Sequence, residues 1–185
     1  MEESDIQLIR RAKRGDTEAF TLLVRNYKNY IMQTAAAILS DRMEAEDVTQ
    51  ETFVRAYLSL KQLRKLETFP SWLATIATRL ALDAAKRKSR AVSTVEDVAE
   101  SAVDETYGGF RDVENRIDVL NLLEDLTPEE RTIIVLRELQ DRSYQDIAQI
   151  LGIPIGTVRS RLHTARQSLR ARMKHWERDD SHDHL

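Results

Sequence analysis

Apolar residues recur along most of the chain at the three- and four-residue spacing of an amphipathic helix. The clearest case is Phe20, Leu23, Val24 and Tyr27, at i, i+3, i+4 and i+7. The same spacing returns in three later segments: Phe53, Ala56, Tyr57 and Leu60; Leu73, Ile76, Ala77, Leu80 and Ala84; and Val158, Leu162, Ala165 and Leu169. No window alternates with period two over a convincing length, so the pattern predicts an all-α protein.

Polar residues that cap the free N–H groups of a first helical turn mark where several of these helices begin. The predicted caps are Ser4 with Gln7, Asp16, Asp41 with Glu44, Thr127 with Glu130, and Ser143 with Asp146. Pro70 is expected to open a further helix, because proline suits the first helical turn. Gly15 and Gly152 are expected to end the helices that precede them.

The helical pattern fails between residues 91 and 112. This stretch is acidic, contains Gly108 and Gly109 and has no stable apolar face, which is typical of a flexible linker. Helical patterning then resumes. The sequence therefore predicts two small helical domains, 1–90 and 113–178, with an acidic linker at 91–112 between them and a disordered tail at 179–185.

The composition excludes several classes of function. The chain has 185 residues and no cysteine, so it offers no disulfide, thiolate nucleophile or zinc–cysteine site. It contains no run of about 18 apolar residues and no signal-type start, and we expect a cytoplasmic protein. The net charge of −3 taken alone argues against nucleic-acid binding.

The distribution of charge reverses that conclusion. Residues 79–90 hold five bases and one acid, and residues 155–178 hold seven bases and one acid. Between them, residues 91–127 hold ten acids and two bases, a local net of 2 − 10 = −8. Two basic blocks flank an acidic middle segment, and the near-neutral net charge of the whole chain hides this separation.

The second basic block lies on a predicted helix-turn-helix. A short capped helix ends at Gly152 and a long amphipathic helix follows, which is the sequence form of that motif. A helical wheel places short polar side chains opposite the apolar stripe, with arginines on both shoulders. The polar residues are Ser160, His163, Thr164 and Gln167, and the arginines are Arg159, Arg161 and Arg166. Such a face suits a major groove, where short side chains approach base edges and arginines reach phosphates or guanine.

Longer motifs make a family resemblance specific. In the second half these are Leu126–Arg131, Val135–Glu138, Ser143–Ala148 and Gly156–Leu162; in the first half they are Gly15-Asp16, Ala19-Phe20, Tyr27, Glu44–Phe53, Phe69–Leu73 and Ile76-Ala77. Together they resemble the σ4 and σ2 domains of bacterial extracytoplasmic-function (group IV) sigma factors of the sigma-70 family. The match runs over nearly the whole chain in the right order.

The resemblance implies a factor that binds core RNA polymerase, at the β′ clamp helices and the β flap, and directs it to promoter DNA. It places Glu46, Asp47, Gln50 and Glu51 on the helix that docks on the clamp helices. An acidic, amide-bearing face that meets a basic coiled coil is chemically sensible. The resemblance also implies a cognate anti-sigma factor that holds the protein inactive, and no cofactor.

By the same resemblance, residues 64–88 read and melt the −10 element. The residues concerned are Arg64, Lys65, Thr68, Phe69, Trp72, Arg79, Asp83, Lys86, Arg87 and Lys88. The loop from Arg64 to Thr68 lies where the family holds a flipped-out base, and the basic helix end suits phosphate. Trp72 either stacks on DNA or packs in the core. Many relatives carry Asn in place of Arg79, which favours a phosphate contact for this arginine.

For the −35 element the resemblance selects the start and outer face of the last helix. The residues are Pro154, Gly156, Thr157, Arg159, Ser160, Arg161, His163, Thr164 and Arg166. Backbone N–H groups at the helix start can hold a phosphate. Relatives often carry aromatic or basic residues at the positions of His163 and Thr164, so the preferred −35 sequence differs here.

Two other classes of protein share some of these features. A two-domain helix-turn-helix regulator that acts without polymerase would explain the second domain alone. An enzyme would need convergent titratable groups, but His163 and His175 are solitary on basic helices and no glycine-rich phosphate loop is present. His182, Asp183 and His184 lack the ligand geometry of a structural zinc, so no metal site is expected.

Overall fold

The computed structural model describes residues 3–39, 41–92, 123 and 126–179, and all of its regular elements are helical. The first half contains α1 (Glu3–Lys13), α2 (Thr17–Ile38), α3 (Arg42–Ser59) and α4 (Phe69–Val92). Two 3₁₀ turns, Leu60–Gln62 and Leu66–Thr68, connect α3 to α4. Within the described residues no strand occurs, which confirms the predicted all-α fold.

The second half contains α5 (Pro128–Ile134), a π-helical turn (Val135–Leu139), α6 (Tyr144–Leu151) and α7 (Ile155–Asp179). The chain divides into two compact units, Met1–Arg87 and Lys88–Leu185. Most of the predicted linker, residues 93–112, lies outside the described residues, as do the predicted helix restart at 113 and the tail from 180 onward. The domain limits proposed from the sequence therefore stay predictions.

The caps of α2 and α3 are as predicted. Asp16 accepts a hydrogen bond from the Ala19 amide at 2.9 Å, and Asp41 accepts from the amides of Met43 and Glu44. Gly15 ends α1 with a φ of +98°, a left-handed conformation that glycine adopts without a steric cost. These caps fix where α2 and α3 begin.

The capping box predicted at Ser4 is wrong in its placement. Helix α1 already begins at Glu3, so Ser4 is not the residue before the first turn. The neighbouring Asp5 carboxylate is buried and accepts hydrogen bonds from the Tyr27 hydroxyl at 2.7 Å and the Asn26 amide at 3.1 Å. Asp5 therefore links α1 to α2. Its two partners lie 21 and 22 residues further along the chain, so the local sequence pattern does not reveal these contacts.

The core of the first unit contains residues from each of its predicted apolar stripes, but Tyr57, predicted to face inward, is 42% exposed. Leu23, Phe53, Leu73 and Ala77 are buried in one cluster, and Phe69 is fully buried between the rings of Tyr27, at 5.3 Å, and Trp72, at 5.9 Å. Each such side chain contributes about 1.5–3 kcal/mol on burial. The core holds α4 and the two 3₁₀ turns against α1 and α2.

Both capping boxes of the second unit form as predicted. Thr127 accepts from the Glu130 amide, Ser143 accepts from the Asp146 amide, and each acid bonds back to its cap. Gly152 ends α6 with a φ of +64°. The turn then leads directly into α7, so the predicted helix-turn-helix is confirmed as α6, the turn and α7.

Candidate nucleic-acid interface

The outer face of α7 has the arrangement that the helical wheel predicts. Val158, Leu162 and Ala165 are buried against the rest of the second unit. The polar residues on the opposite face are exposed: Ser160, His163, Thr164 and Gln167. The burial pattern is confirmed, and the contact of this face with DNA stays a prediction.

Two polar side chains on this face are already committed to their own helix. The Ser160 hydroxyl donates to the Thr157 carbonyl at 3.1 Å, and the Thr164 hydroxyl donates to the Ser160 carbonyl at 3.2 Å. With its proton so placed, each hydroxyl oxygen presents its lone pairs outward. In this arrangement both residues act as acceptors, which suits the amino groups of adenine and cytosine.

The three predicted arginines do not behave alike. Arg159 and Arg161 are exposed along the face. Arg166 instead donates two hydrogen bonds to one Glu138 carboxylate oxygen, from Nη2 at 2.7 Å and from Nε at 3.1 Å. Glu138 thereby raises the pKa of the Arg166 guanidinium above its ordinary value. Arg166 joins α7 to the π turn, so its predicted DNA contact competes with an existing ion pair.

The start of α7 leaves room for a close approach. Pro154 and Gly156 are exposed and Thr157 is half-buried. A Cβ placed on Gly156 would meet no protein atom within 4 Å, so packing does not explain the glycine. The free N–H groups of a helix's first turn are of the kind that can hold a phosphate.

A cavity of about 260 Å³ lies beside this face, between the start of α5 and α7. Its walls include Glu129, Ser160, Arg161 and Thr164. The sequence patterns did not predict that α5 lies beside α7. This contact depends on how the chain folds between the two helices, which the pattern of either helix alone does not contain. The cavity puts an acidic side chain next to the face assigned to DNA.

In the first unit, the loop assigned to the −10 element is exposed. Arg64, Lys65 and Thr68 all face solvent around the second 3₁₀ turn. The Thr68 hydroxyl donates to the Lys65 carbonyl at 2.8 Å and itself lies next to Ser71, whose hydroxyl donates to the Thr68 carbonyl at 2.9 Å. These bonds hold the loop in a defined shape while its basic side chains stay outside.

The structure also ties this loop to α1, which sequence reasoning missed. Lys13 donates from Nζ to the Leu63 carbonyl at 2.6 Å, although 50 residues separate the two. Helix α1 packs against both 3₁₀ turns around the loop. No local signal identifies such a pair, since lysine is ordinarily a solvated side chain.

Two aromatic residues predicted to face DNA belong to the core. Phe69 is fully buried, so it supports the fold and offers no surface to DNA. Its burial contradicts the predicted contact with DNA. Trp72 is half-buried and packs on the core cluster, which favours the second of the two interpretations left open for it. Burial of both rings is expected from their place on the apolar stripe of α4.

The charged end of α4 is exposed as predicted. Arg79, Asp83, Lys86, Arg87 and Lys88 all face solvent. Arg79, Asp83 and Lys86 are spaced by four and three residues, so they share one face of the helix. The face is therefore basic with a single carboxylate in it.

The four residues assigned to polymerase lie on one exposed face of α3. Glu46 and Glu51 bond along the helix to Arg42 at 3.2 Å and Arg55 at 2.7 Å, and Asp47 and Gln50 are exposed between them. These surface pairs contribute little to stability, so the acids remain available to a partner.

Large apolar side chains extend the same face, and the sequence patterns did not single them out. Met43 is 77% exposed, Val54 53% and Leu58 75%. They fall at four, seven and eleven residues from Asp47, on the side of α3 away from Phe53 and Ala56. Plotting the exposed as well as the buried positions of α3 would have found them.

Two absences bear on the site. Among the described residues no cluster of His, Asp or Glu is arranged to hold a metal ion, and the predicted non-ligands His182 and His184 lie outside those residues. No helix in the described part of the chain has the length and apolar character needed to cross a membrane.

Comparisons with known proteins cover both halves of the chain. The sequence model of sigma-70 region 2 matches residues 23–91, and that of sigma-70 region 4 matches residues 116–169. The RNA polymerase sigma-H factor of Pseudomonas aeruginosa is 34% identical over 91% of this chain and 93% of its own length. The ECF RNA polymerase sigma-E factor of Haemophilus influenzae is 35% identical over 90% of this chain and 93% of its own length.

A solved structure shares the helical architecture. It is the sigma factor RpoE from Bartonella quintana in complex with the anti-sigma factor NepR, with 25% identity and a TM-score of 0.65 over 84% of this chain and 96% of that one. Family models in both halves, near-full-length relatives above 30% identity and a matching fold agree with one another. The chain belongs to the extracytoplasmic-function group of the sigma-70 family, whose members bind core RNA polymerase and direct promoter-specific initiation of transcription.

Proposed function

We propose that this sigma factor divides its work among three surfaces. The exposed face of α3 docks on the β′ clamp helices of core polymerase, the loop 64–68 with the basic end of α4 reads and melts the −10 element, and the outer face of α7 reads the −35 element. The observation that carries the proposal is the outer face of α7, where short polar side chains lie between exposed arginines above a buried stripe. For the two domains we propose the limits 1–90 and 113–178.

On α7, the geometry supports separate roles for different residues. The N–H groups at Gly156 and Thr157 are suited to a phosphate. Arg159 reads or approaches the base edges with Ser160 and Thr164, whose oxygens act as acceptors. The second unit also contacts the β flap of polymerase, as expected from the family.

In the first unit, Arg64, Lys65 and Thr68 surround the position for an extruded base. Arg79, Lys86, Arg87 and Lys88 neutralise phosphates along α4, and Asp83 limits where a phosphate can sit. Phe69 and Trp72 hold α4 in place from its core side, because their rings pack against each other in the core. The −10 contact is thus made by exposed polar groups and not by stacking on Phe69.

On α3, the proposed partner surface combines charge with apolar area. Asp47, Gln50 and Glu51 supply the acidic and amide groups that steer a basic partner. Val54 and Leu58 supply an exposed apolar edge. A surface that carries both is typical of a protein–protein interface and not of a solvated helix face.

Regulation by an anti-sigma factor is part of the proposal. The Bartonella quintana relative was solved with such a partner, and the exposed α3 and α7 faces would be the surfaces to occlude. We propose further that the protein acts in the cytoplasm, where polymerase is, and that it has no catalytic activity of its own. Because the chain contains no cysteine, redox sensing through its own thiols is excluded.

Run-off transcription with purified core polymerase on a promoter library tests the function. We expect promoter-dependent transcripts only when core enzyme and this chain are both present. Arg159→Ala should abolish promoter use while core affinity stays unchanged. The control Arg25→Ala, an equal charge change on an exposed site of α2, should change neither promoter use nor core affinity. Specific duplex binding by the chain without polymerase would favour a helix-turn-helix regulator instead, and equal loss of promoter use and core affinity in Arg159→Ala would contradict the role of Arg159.

A further inference from the structure

The C-terminal end of α1 carries a dense group of cations to which none of the proposed roles applies. Four of the five residues from 10 to 14 are basic: Arg10, Arg11, Lys13 and Arg14. The segment precedes residues 23–91, which match sigma-70 region 2. Cations at a helix C-terminus are stabilised by the helix dipole, but this accounts for one or two charges and not for a run of four.

Two of the four cations are structural. Arg11 pairs with Asp16 at 2.8 Å, just past the end of α1. Lys13 bonds to the Leu63 carbonyl at 2.6 Å and is half-buried there. Each of these residues anchors α1, so neither is free to bind an outside anion.

The other two cations are exposed and unneutralised. Arg14 donates from Nε only to the Arg10 carbonyl of its own helix, at 3.3 Å. In the described part of the chain, no carboxylate lies within ion-pair distance of Arg10 or Arg14. Arg14 directly follows the last residue of α1, about one helical turn, or about 6 Å, from Arg10.

The Lys13–Leu63 bond sets these arginines beside the −10 loop. Leu63 is buried, and the residues on either side of it carry exposed cations at Lys61, Arg64 and Lys65. Helix α1 packs against the 3₁₀ turns before and after that loop, and Arg10 and Arg14 lie within three residues of Lys13, which bonds to Leu63. All five bases are exposed, as is the one acid of this segment, Glu67.

We infer that Arg10 and Arg14 bind the phosphates of the single DNA strand as it continues beyond the base held at residues 64–68. This inference rests on the proposed −10 role of that loop. A strand fixed there must leave along an adjoining surface, and an unneutralised cationic surface lowers its free energy by releasing counterions. Sequence-independent phosphate contact also explains why the cations are solvent-exposed arginines with no shaped pocket.

The experiment compares two forked promoter probes bound to holoenzyme made from core polymerase and the full chain. In both probes the non-template strand is single-stranded through the −10 element; in the short fork it ends there, and in the long fork it continues for ten nucleotides. The test variant is Arg10→Gln with Arg14→Gln. The matched control is Arg25→Gln with Lys28→Gln, which removes the same charge from exposed sites of α2 next to Asn26 and Tyr27. Those residues bond Asp5, at the other end of α1 and about 14 Å from Arg14 by helical rise.

We expect the test variant to bind the long fork about tenfold more weakly and the short fork as tightly as the unmodified protein. The salt dependence of long-fork binding should fall by about 1.4 in log–log slope, two contacts at about 0.7 each. Equal affinity of test and control variants for the long fork, or an equal loss on both forks, would overturn the inference. A loss of core affinity in the test variant would also overturn it, because the arginines would then face polymerase. If the unmodified holoenzyme bound neither fork, the proposed −10 function itself would fail and this inference with it.

Discussion

Arg166 on the last helix and Glu138 in the π turn form a bidentate contact across 28 residues, with both nitrogens on one carboxylate oxygen. A helical wheel assigns Arg166 to the shoulder of the DNA-facing surface, next to Arg159. The contact changes that assignment, since the guanidinium is already held at 2.7 Å and 3.1 Å by a partner within the unit. We therefore predict that Arg166 positions α7 against the π turn and that a contact with DNA would have to compete with Glu138.

A mutational comparison separates positioning from DNA contact. Arg166→Ala should reduce promoter binding less than Arg159→Ala, and it should lower the stability of the second unit. The pair is 41% and 46% exposed, so its coupling energy should be about 0.2–1 kcal/mol. A double-mutant cycle with Glu138→Ala and Arg166→Ala in urea unfolding measures that energy. A coupling energy near zero, together with a larger promoter defect for Arg166→Ala than for Arg159→Ala, would restore the DNA role.

The same pair shows what local pattern can and cannot predict. The buried stripe of α7, the caps at Asp16, Thr127 and Ser143 and the exposed polar face follow from spacing of 3.6 residues and from hydrogen-bond chemistry within four residues. The partner of Arg166 does not, because it depends on the π turn at Val135–Leu139 and on how α7 packs against it. The contacts of Asp5 could not be predicted for the same reason: its partners, Asn26 and Tyr27, lie on another helix.

Lys13 is predicted to position the −10 loop. Lys13→Met keeps the length of the side chain but removes the donor to the Leu63 carbonyl. Loss of a charged hydrogen bond at a half-buried site should cost about 1 kcal/mol locally. We expect faster amide exchange at residues 63–68 and slower promoter opening, with core affinity unchanged.

Lys28→Met, an exposed site on α2, is the control for the loss of charge. Unchanged amide exchange in the loop of Lys13→Met would show that the core alone holds residues 63–68. Hydrogen exchange followed by mass spectrometry gives this result directly, and promoter opening can be followed by permanganate reactivity of unpaired thymines.

Thr78 is predicted to tolerate replacement by an apolar residue. Its hydroxyl on α4 is fully buried, and its oxygen has no hydrogen-bond partner in the described part of the chain. An unsatisfied buried hydroxyl costs about 1–3 kcal/mol, so Thr78→Val should leave the free energy of unfolding of the first unit unchanged or raise it by about 1 kcal/mol.

Thr52 provides the matched comparison. It is equally buried, but its hydroxyl donates to the Val48 carbonyl at 2.6 Å. Thr52→Val should therefore destabilise the same unit by about 1 kcal/mol. Urea unfolding in a Trp176→Phe background makes Trp72 the reporter of the first unit. Equal destabilisation by both changes would mean that the Thr78 hydroxyl is satisfied in solution.

Asp16 is predicted to make part of the stability depend on pH. The Ala19 amide and then the Arg11 guanidinium hold the pKa of Asp16 below its ordinary value of 3.8. Since the folded pKa is the lower one, the stabilising contribution is complete above about pH 4 and is lost as the pH falls through the folded pKa. Asp16→Asn keeps a capping oxygen and should flatten the decline of stability on acidification, whereas Asp16→Ala should lower stability at neutral pH as well. Unfolding by urea between pH 2.5 and pH 7 checks both. If the free energy of unfolding of Asp16→Asn and of the unmodified protein declined in parallel on acidification, Asp16 would not be the source of the pH dependence.

The apolar edge of α3 is predicted to carry much of the affinity for polymerase. Val54 and Leu58 are 53% and 75% exposed beside the acidic positions Asp47 and Glu51. Burying one such side chain contributes about 1.5 kcal/mol or more, which is about tenfold in affinity. Leu58→Ser should therefore weaken core binding about tenfold with little loss of stability, because Leu58 is 75% exposed in the first unit.

Charge and apolar area can be separated on this face by their response to salt. Asp47→Asn should slow association with core polymerase at low salt and have little effect at high salt, since surface charges act mainly by steering. Leu58→Ser should speed dissociation at both salt concentrations. Leu139, 57% exposed at the end of the π turn of the other unit, offers Leu139→Ser as a control of similar area. Surface plasmon resonance with immobilised core enzyme resolves the two rates, and a Leu58→Ser protein that dissociates like the unmodified one would place the polymerase contact on the acidic residues alone.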